Sequence, residues 1–338
     1  MNIAILILNW NGKSLLEVFL PSVIKYSAGH DIYVVDNASS DNSIDYIKNN
    51  HPKVKTIEFT ENYGYTGAYN RAVKEIKTDV FCFLNSDVAV TKNWLSPIIE
   101  CFEKQTNVAI IQPKILDQKD ANKFEYAGAG GGFIDRLGYP YCRGRIFNSI
   151  EDDNGQYDDT KDIFWASGAC FFVRSKVFNL LGGFDADFFA HMEEIDLCWR
   201  AYNRGFNIKY VGNSTVLHVG GATLNASNPK KTYFNFRNSL YTLTKNAKGT
   251  LLFLIILRLI LDGIAGVHFL IQGKPKHTWA IIKAHGSFYT KLQGLLKFRR
   301  INTQKKTYSS VNSIVWNYFV LKISKFSKLN NLVYWYKK

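Results

Sequence analysis

A chain of 338 residues with 46% hydrophobic and 21% charged residues can bury a full core, and its composition is not that of a disordered protein. Five cysteines, at 82, 101, 142, 170 and 198, form no C-x-x-C pair, so neither a zinc ribbon nor a disulfide framework is indicated and reduced, buried thiols are expected. The net charge of +14 is unevenly spread: from Lys230 onward lie 20 of the 42 basic residues and one acid, Asp262, a local balance of +19 against −5 for residues 1–229. A basic tail of this kind calls for an anionic partner, either nucleic acid or a lipid headgroup surface.

Met1-Asn2-Ile3 leads straight into an apolar run without a basic segment, so no secretory leader is expected. Ile3–Leu8, Asp31–Asp36, Lys53–Phe59 and Val80–Leu84 read as strands. Between them, helical segments are expected over Ser14–Tyr26, interrupted by Pro21, over Asp41–Asn50 with Asp41 as N-cap, and over Thr66–Lys77. Short apolar strands alternating with helices predict an α/β fold: a mixed, mostly parallel sheet with helices on both faces. Ligands of such sheets bind beyond the carboxyl ends of the strands. Four strand ends carry polar clusters: Asn9-Trp10-Asn11-Gly12, Asp36 to Asp41, Glu61 to Gly67, and Asn85-Ser86-Asp87. Each alone is ordinary turn chemistry. Together on one edge they describe a site.

Residues 127–160 are Gly-rich, then acidic, and read as a long functional or mobile connection. Ile163–Arg174 is expected to be one buried strand, with Gly168 letting a ligand approach closely. Glu193–Arg204 reads as a helix stopped at Gly205. Asn207–Val211 is a further strand, and Thr215 to His218 ends near the same region. After Lys230 the character changes. Leu251–Leu261 is apolar almost all round but broken by Arg258, and Asp262, Gly263, Gly266 and His268 interrupt the stretch after it. That pattern argues against a clean membrane span. Aromatics interleaved with lysines, as in VWNYFVLKISKFSK and LVYWYKK, suit helices lying in a membrane interface. A basic helical subdomain packed on the core is the alternative.

Asn85-Ser86-Asp87 after an apolar strand suits a hard divalent cation bridging phosphates, and His218 is a candidate further ligand, although a lone histidine is commonly structural. Asp36 can accept hydrogen bonds from a ribose or base. In the stretch FFAHMEEIDLCWR, Glu193, Glu194 and Asp196 crowd three carboxylates beside apolar residues, an arrangement that raises carboxyl pKa values. A helix start that welcomes acids through its dipole is the plainer reading.

The ordered set ILNWNG at 7–12, VVDNASSDNS at 34–43, ENYGYTGAYNRA at 61–72, FLNSD at 83–87, WASGACFFVR at 165–174 and GGFDADFF…EEIDLCWRA at 182–201 resembles the inverting nucleotide-sugar glycosyltransferases of family 2, with the GT-A fold. The branch it looks most like contains bacterial rhamnosyltransferase-like enzymes of surface polysaccharide assembly. The resemblance covers roughly residues 1–225 and implies a Rossmann-like catalytic domain at 1–229, followed by a membrane-associating helical region at 230–338. It implies that Asp36 binds the nucleobase or ribose. Asn9, Asn11, Asn37, Asp41, Asn62, Gly64, Gly67, Asn70, Asn85 and Ser86 would complete the nucleotide-sugar pocket. Asp87 and His218 would hold Mg2+ or Mn2+. Asn85 stands where the family has the first Asp of its D-x-D motif, a neutral and weaker ligand.

The resemblance implies that Glu194 takes the position of the family's general base, with Glu193 as the alternative and Asp196 beside them. The family has Asp there, and the extra methylene moves the carboxylate by about 1.5 Å. Trp165, Ser167, Gly168, Trp199 and Arg200 would line the acceptor side. The expected partners are a nucleotide-sugar donor (dTDP-rhamnose or a UDP-hexose), a saccharide or lipid-linked saccharide acceptor, and an anionic membrane surface on the cytoplasmic side. Nucleic acid is disfavoured because the basic residues lie among Leu, Ile and Phe runs. The N-x-S/T triplets at Asn37, Asn213 and Asn225 carry no meaning in a cytosolic chain.

Overall fold

The computed structural model describes residues 1–220 and 228–329; Asn225 and the terminal LVYWYKK lie outside them. The first half alternates β1 (Ile3–Asn9), α1 (Lys13–Tyr26), β2 (Asp31–Asn37), α2 (Ser43–Asn50), β3 (Lys55–Phe59), α3 (Gly64–Ala72), β4 (Val80–Asn85), β5 (Val88–Val90), α4 (Ser96–Lys104) and β6 (Val108–Asp117). Four short strands come next, β7 (Gly132–Ile134), β8 (Pro140–Cys142), β9 (Arg145–Ile146) and β10 (Ser149–Ile150). Then come β11 (Thr160–Ile163), β12 (Cys170–Arg174), α5 (Ser175–Leu180), α6 (Glu193–Asn203) and β13 (Asn207–His218). The chain continues through α7 (Pro229–Asn246), α8 (Leu251–Ile271), α9 (Pro275–Ile301) and α10 (Ile314–Phe319).

The large sheet has nine strands in the order β11-β13-β6-β12-β4-β1-β2-β3, with β5 added on β13. Strands β3, β2, β1 and β4 are parallel, and their register sets Asn9 opposite Asp36 and Leu8 opposite Asn85. The four polar strand ends therefore share one edge. Strands β1, apart from the half-buried Leu8, and β4 are buried along their apolar lengths, which explains their continuous rather than alternating apolar sequence. One face packs an aromatic cluster in which Phe83 meets Tyr69, Phe171, Phe178 and Phe184 at 4.6–5.3 Å between ring centroids. Burying each such ring contributes about 1.5–3 kcal/mol. The cluster also fixes Phe184, and with it the start of the segment leading to α6.

Several sequence expectations need correction. Helix α1 runs unbroken through Pro21. Pro21 cannot donate to the Glu17 carbonyl, but both residues face solvent, where water replaces the bond. Helix α2 starts at Ser43 rather than Asp41. Asp41 instead accepts from the backbone N–H groups of both Lys13 and Ser43, tying two helix starts together. Of the segment 163–174 only Cys170–Arg174 is a strand, β12, lying between β6 and β4, while Ile163 ends β11, which pairs with β13. Conversely, 207–218 is one long strand carrying an irregularity between Val211 and Thr215. Residues 132–150 form a small antiparallel sheet instead of an irregular connection.

Helix α8 is continuous over 21 residues, and its two charges do not interrupt it. Arg258 and Asp262 stand one turn apart on the buried face and pair at 2.8 Å, with Tyr139 donating to Asp262 at 2.9 Å. The opposite face leaves Leu252, Ile256, Ile260, Ile264 and Val267 exposed, and Ile271 is 79% exposed. The helix is long and apolar enough to cross a membrane by length and composition.

Candidate active site

The strand-end loops build a hydrogen-bonded cradle. Asn9 Nδ2 donates to Asp36 Oδ1 at 2.9 Å and to Ser39 Oγ at 3.1 Å. Ser39 donates to Asp36 through both its backbone N–H and its hydroxyl. Asn11, at φ 52°, accepts the Ser40 N–H, which locks the first loop onto the second. Asn37 reaches the third loop: its side chain donates to Asn62 and accepts from Tyr63 N–H, both at 2.9 Å. Asn9 Oδ1 is buried without a partner. A buried orphan acceptor costs about 1–3 kcal/mol, so it marks a place for an external donor.

Two glycines matter here. A Cβ on Gly64, already at φ +67°, would strike the Phe189 ring at 2.6 Å. One on Gly67 would meet Tyr63 Cβ at 2.9 Å, disturbing the Arg71 guanidinium stacked 3.6 Å over the Tyr63 ring.

Antiparallel pairing of β5 with β13 sets His218 opposite Val88, so His218 meets Asp87. His218 Nε2 lies 3.1 Å from Asp87 Oδ1, and Nδ1 lies 3.1 Å from Glu125 Oε2. Burial alone would depress this imidazole; the two carboxylates outweigh burial and lift it to about 10. Adjacent donors of an octahedral divalent ion at about 2.05 Å lie about 2.9 Å apart. The Asp87–His218 pair fits that spacing, on loss of the imidazole proton. Among the described residues no group of three or more acidic, His or Cys side chains is arranged to hold an ion. The remaining positions would fall to water and substrate phosphates. Glu125 is a contact that sequence reasoning missed; it is remote in sequence from both partners.

The carboxylate segment is shaped by three residues at positive φ, Phe189 (64°), His191 (69°) and Met192 (70°), immediately before α6. Non-glycine residues in that region are strained, so the surroundings must hold them. They do so from α7. Asn238 Nδ2 lies 2.7–3.1 Å from the carbonyls of Phe188, Ala190 and His191. Arg237 donates to the carbonyls of Asp187 and Phe188 at 2.9 Å. Neither residue was legible as a site residue, because nothing in the sequence links position 238 to position 191.

Glu193 and Glu194 open α6 and have different surroundings. Glu193 is 4% exposed, and the Oε2 atoms of both glutamates are buried without a hydrogen-bond partner. Burial first, and the neighbouring Glu194 second, push its carboxyl well above the usual range. Glu194 is partly exposed and faces Gly168, where a Cβ would sit 3.8 Å from its carboxyl carbon. Burial raises it to about 7, against backbone N–H groups that pull it down. Gly168 precedes Ala169, whose carbonyl accepts the Asn85 N–H at 2.9 Å. Glu194 thus faces the entry to β12, which pairs with the β4 strand whose end carries the Asp87 loop.

The other expected site residues are placed differently. Asp196 is buried in an ion cluster with Arg200 (2.7 Å), Lys245 and Asn246. Arg200 also donates to the carbonyls of Leu181 and Gly183. Trp199 packs on Phe164 and Tyr308. Trp165 donates to the Phe133 carbonyl, and Ser167 is held by Gln112. Asn70 bridges both backbone groups of Phe184. These side chains are committed to the framework, and of the expected acceptor-side group only Gly168 meets Glu194.

The model of the family described as Glycosyl transferase family 2 matches residues 4–182. The low-salt glycan biosynthesis hexosyltransferase Agl10 of Haloferax volcanii is 25% identical over 214 residues, which is 61% of this chain and 64% of that protein. An N-acetylglucosaminyl-diphospho-decaprenol L-rhamnosyltransferase of Mycobacterium tuberculosis is 24% identical over 220 residues, 60% of this chain and 71% of that one. Among solved structures, GalNAc-T7 with UDP, GalNAc and Mn2+ superimposes with a TM-score of 0.60 at 16% identity, covering 95% of this chain and 56% of its own. The mannosyltransferase PcManGT of Pyrobaculum calidifontis, with GDP-Man and Mn2+, gives 0.51 at 14% identity, covering 90% and 83%. The chain thus spans less than two thirds of the first relative and of the first structure. The shared fold is GT-A, a mixed α/β sheet flanked by helices.

Proposed function

The chain belongs to glycosyl transferase family 2, and from that premise we propose that it is an inverting transferase acting on a nucleotide diphosphate sugar. Glu194 is the general base in this reading. The observation that carries the assignment is the contrast between the two glutamates: Glu194 is partly open beside Gly168 with its carboxyl raised to about 7, whereas Glu193 is enclosed and its carboxyl is pushed up by burial and by Glu194. A base poised near operating pH takes the acceptor hydroxyl proton as that oxygen attacks the anomeric carbon. The nucleotide diphosphate leaves from the opposite face.

Asn9, Asp36, Asn37 and Ser39 would hold the nucleoside, since their loops form one bonded cradle with an unsatisfied acceptor. Asp87 and His218 would hold Mg2+ or Mn2+, which supplies charge stabilisation to the departing diphosphate. The donor is dTDP-rhamnose or a UDP-hexose. The acceptor is a hydroxyl of a saccharide carried on a lipid, in surface polysaccharide assembly, a reading supported by the relative named for rhamnosyl transfer. The exposed apolar face of α8 and the lysines around it support a peripheral position on the cytoplasmic face of the membrane.

The test is a thermal-shift series with Mn2+ or Mg2+ against UDP, dTDP, GDP and CMP. A ligand that binds only the native state raises Tm by mass action. A shift with dTDP or UDP that disappears on adding EDTA is expected. No shift with any nucleotide would favour a catalytically inactive relative.

A further inference from the structure

The first turns of α7 and α9 enclose an open groove of about 660 Å³ that no step of the transfer uses. Its floor is aromatic, with Tyr233 and Phe234 from α7 and Trp279 from α9. Its rim carries Lys230, Lys276 and Lys283, all exposed, and no acidic residue lines it. None of the three lysines is in an ion pair among the described residues. Lys230 instead lies 5.9 Å over the Phe234 ring, and Lys283 lies 5.8 Å over Trp279. Three cations around an apolar floor form an electrostatically incomplete site. Its complement is a ligand with a compact, multiply charged anionic head and an apolar chain.

The groove is coupled to the acid segment. Phe234 stacks on Phe189, with centroids 5.7 Å apart and planes 16° apart. Phe189 lies five residues before Glu194, and its carbonyl accepts from Tyr65 N–H at 2.9 Å. On the other side, the α8–α9 turn leads into the groove-lining Pro275 and Lys276; Leu270 and Ile271, just before that turn, are exposed, and Trp279 is 56% exposed. Exposed apolar side chains therefore flank the groove at the α8–α9 turn, and an aromatic stack joins the groove to the loop before the base.

We propose that this groove binds the diphosphate and first isoprene units of a polyprenyl-linked acceptor, which would deliver the acceptor sugar toward Glu194. The inference rests on the lipid-linked acceptor proposed above and names where its carrier docks. Lysine Nζ groups take the phosphate oxygens, Trp279 and Phe234 line the hydrocarbon, and the exposed α8 face continues the apolar path.

Isothermal titration of the full chain, saturated with the nucleotide that gives the thermal shift, tests this with farnesyl diphosphate as probe. Inorganic diphosphate and phosphatidylglycerol vesicles are the comparison arms. The chain should bind farnesyl diphosphate more tightly than inorganic diphosphate. The Lys276→Glu, Lys283→Glu double variant should lose about tenfold or more in that affinity. Trp279→Ala should weaken farnesyl diphosphate but not inorganic diphosphate. All three positions are exposed, so unchanged Tm values and unchanged nucleotide shifts are expected of both variants. Equal farnesyl diphosphate affinity in wild type and variants overturns the proposal. So does charge reversal that weakens only vesicle binding, since the lysines would then serve the bulk membrane surface. A retained nucleotide shift in either failed case leaves the transferase reading standing, whereas its absence in the wild type removes that reading first.

Discussion

Lys245 Nζ and Asp196 Oδ2 lie 2.9 Å apart, and both side chains are sealed from water, at 1% and 0% exposure. One belongs to α7, in the basic C-terminal region, and the other to α6, the helix that opens with the two glutamates. Lys245 also reaches Asp185, in the loop before that helix. The last third of the chain is thus bonded into the framework of the candidate site. Burial alone would raise the Asp196 carboxyl; Lys245 and Arg200 reverse that and hold it below the usual range.

Breaking a buried pair by removing one partner leaves an uncompensated charge. Lys245→Met should destabilise the fold by about 3–5 kcal/mol, measured as a lower urea midpoint at pH 7. The acid dependence comes from the sign of the Asp196 shift. A carboxyl depressed in the folded state contributes fully above its unfolded value of about 3.9 and loses that contribution as pH falls through the folded value. Asp196→Asn should therefore lose less stability than wild type between pH 5 and pH 3. An equal loss would mean that Asp196 is not what links this fold to acid.

The base assignment predicts a pH profile. With Glu194 at about 7, kcat/KM should rise with pH through that value, because the base must be ionised to accept a proton. Glu194→Gln should reduce kcat by about 10²–10⁴ while leaving the nucleotide thermal shift in place. Glu193→Gln should keep activity and the same profile, since Glu193 is enclosed and accepts no acceptor proton in this reading. The reverse ranking of the two variants would transfer the base role to Glu193.

Cation binding should follow the ranking of contacts around His218. Asp87→Ala should abolish the EDTA-sensitive nucleotide shift. Glu125→Gln, which alters only the far side of the imidazole, should weaken Mn2+ affinity by about 10–100-fold. Titration of Mn2+ at fixed nucleotide measures both. Unchanged Mn2+ affinity in Asp87→Ala would remove the pair from the metal role.

Asn238 touches the 188–191 backbone and no strand-end loop of the nucleotide cradle. Asn238→Ala should lower stability by about 1–3 kcal/mol for the carbonyls it leaves unpaired. It should also lower kcat more than it raises donor KM, because the strained turn before Glu194 loses its clamp while Phe189 keeps its own bond to Tyr65. Asn238→Asp replaces the donor with acceptors facing three carbonyls, so it should be worse than Ala. Equal damage to donor KM would indicate a general loss of fold.

What the sequence determined by itself was whatever is written locally. Continuous apolar runs identify β1, β2 and β4 because strands buried on both faces need no alternation. Polar strand ends place Asn9, Asp36, Asn37 and Asp87 on one edge of the sheet, since parallel register leaves their loops there whatever the helices do. The charge break at Lys230 marks the start of the last helices. What only the tertiary structure decided was every role that depends on partners far apart in sequence. Glu193, Glu194 and Asp196 are nearly identical as sequence, yet one is enclosed, one is partly open, and one is paired with a lysine 49 residues away. Trp165, Trp199 and Arg200 carry site-like side chains but fill the core. Arg258 and Asp262 read as interruptions of α8, and became its anchor only because Tyr139 and a buried face met them. A side chain's charge state and job depend on its local dielectric and on the partners within a few ångströms, and folding alone brings those together.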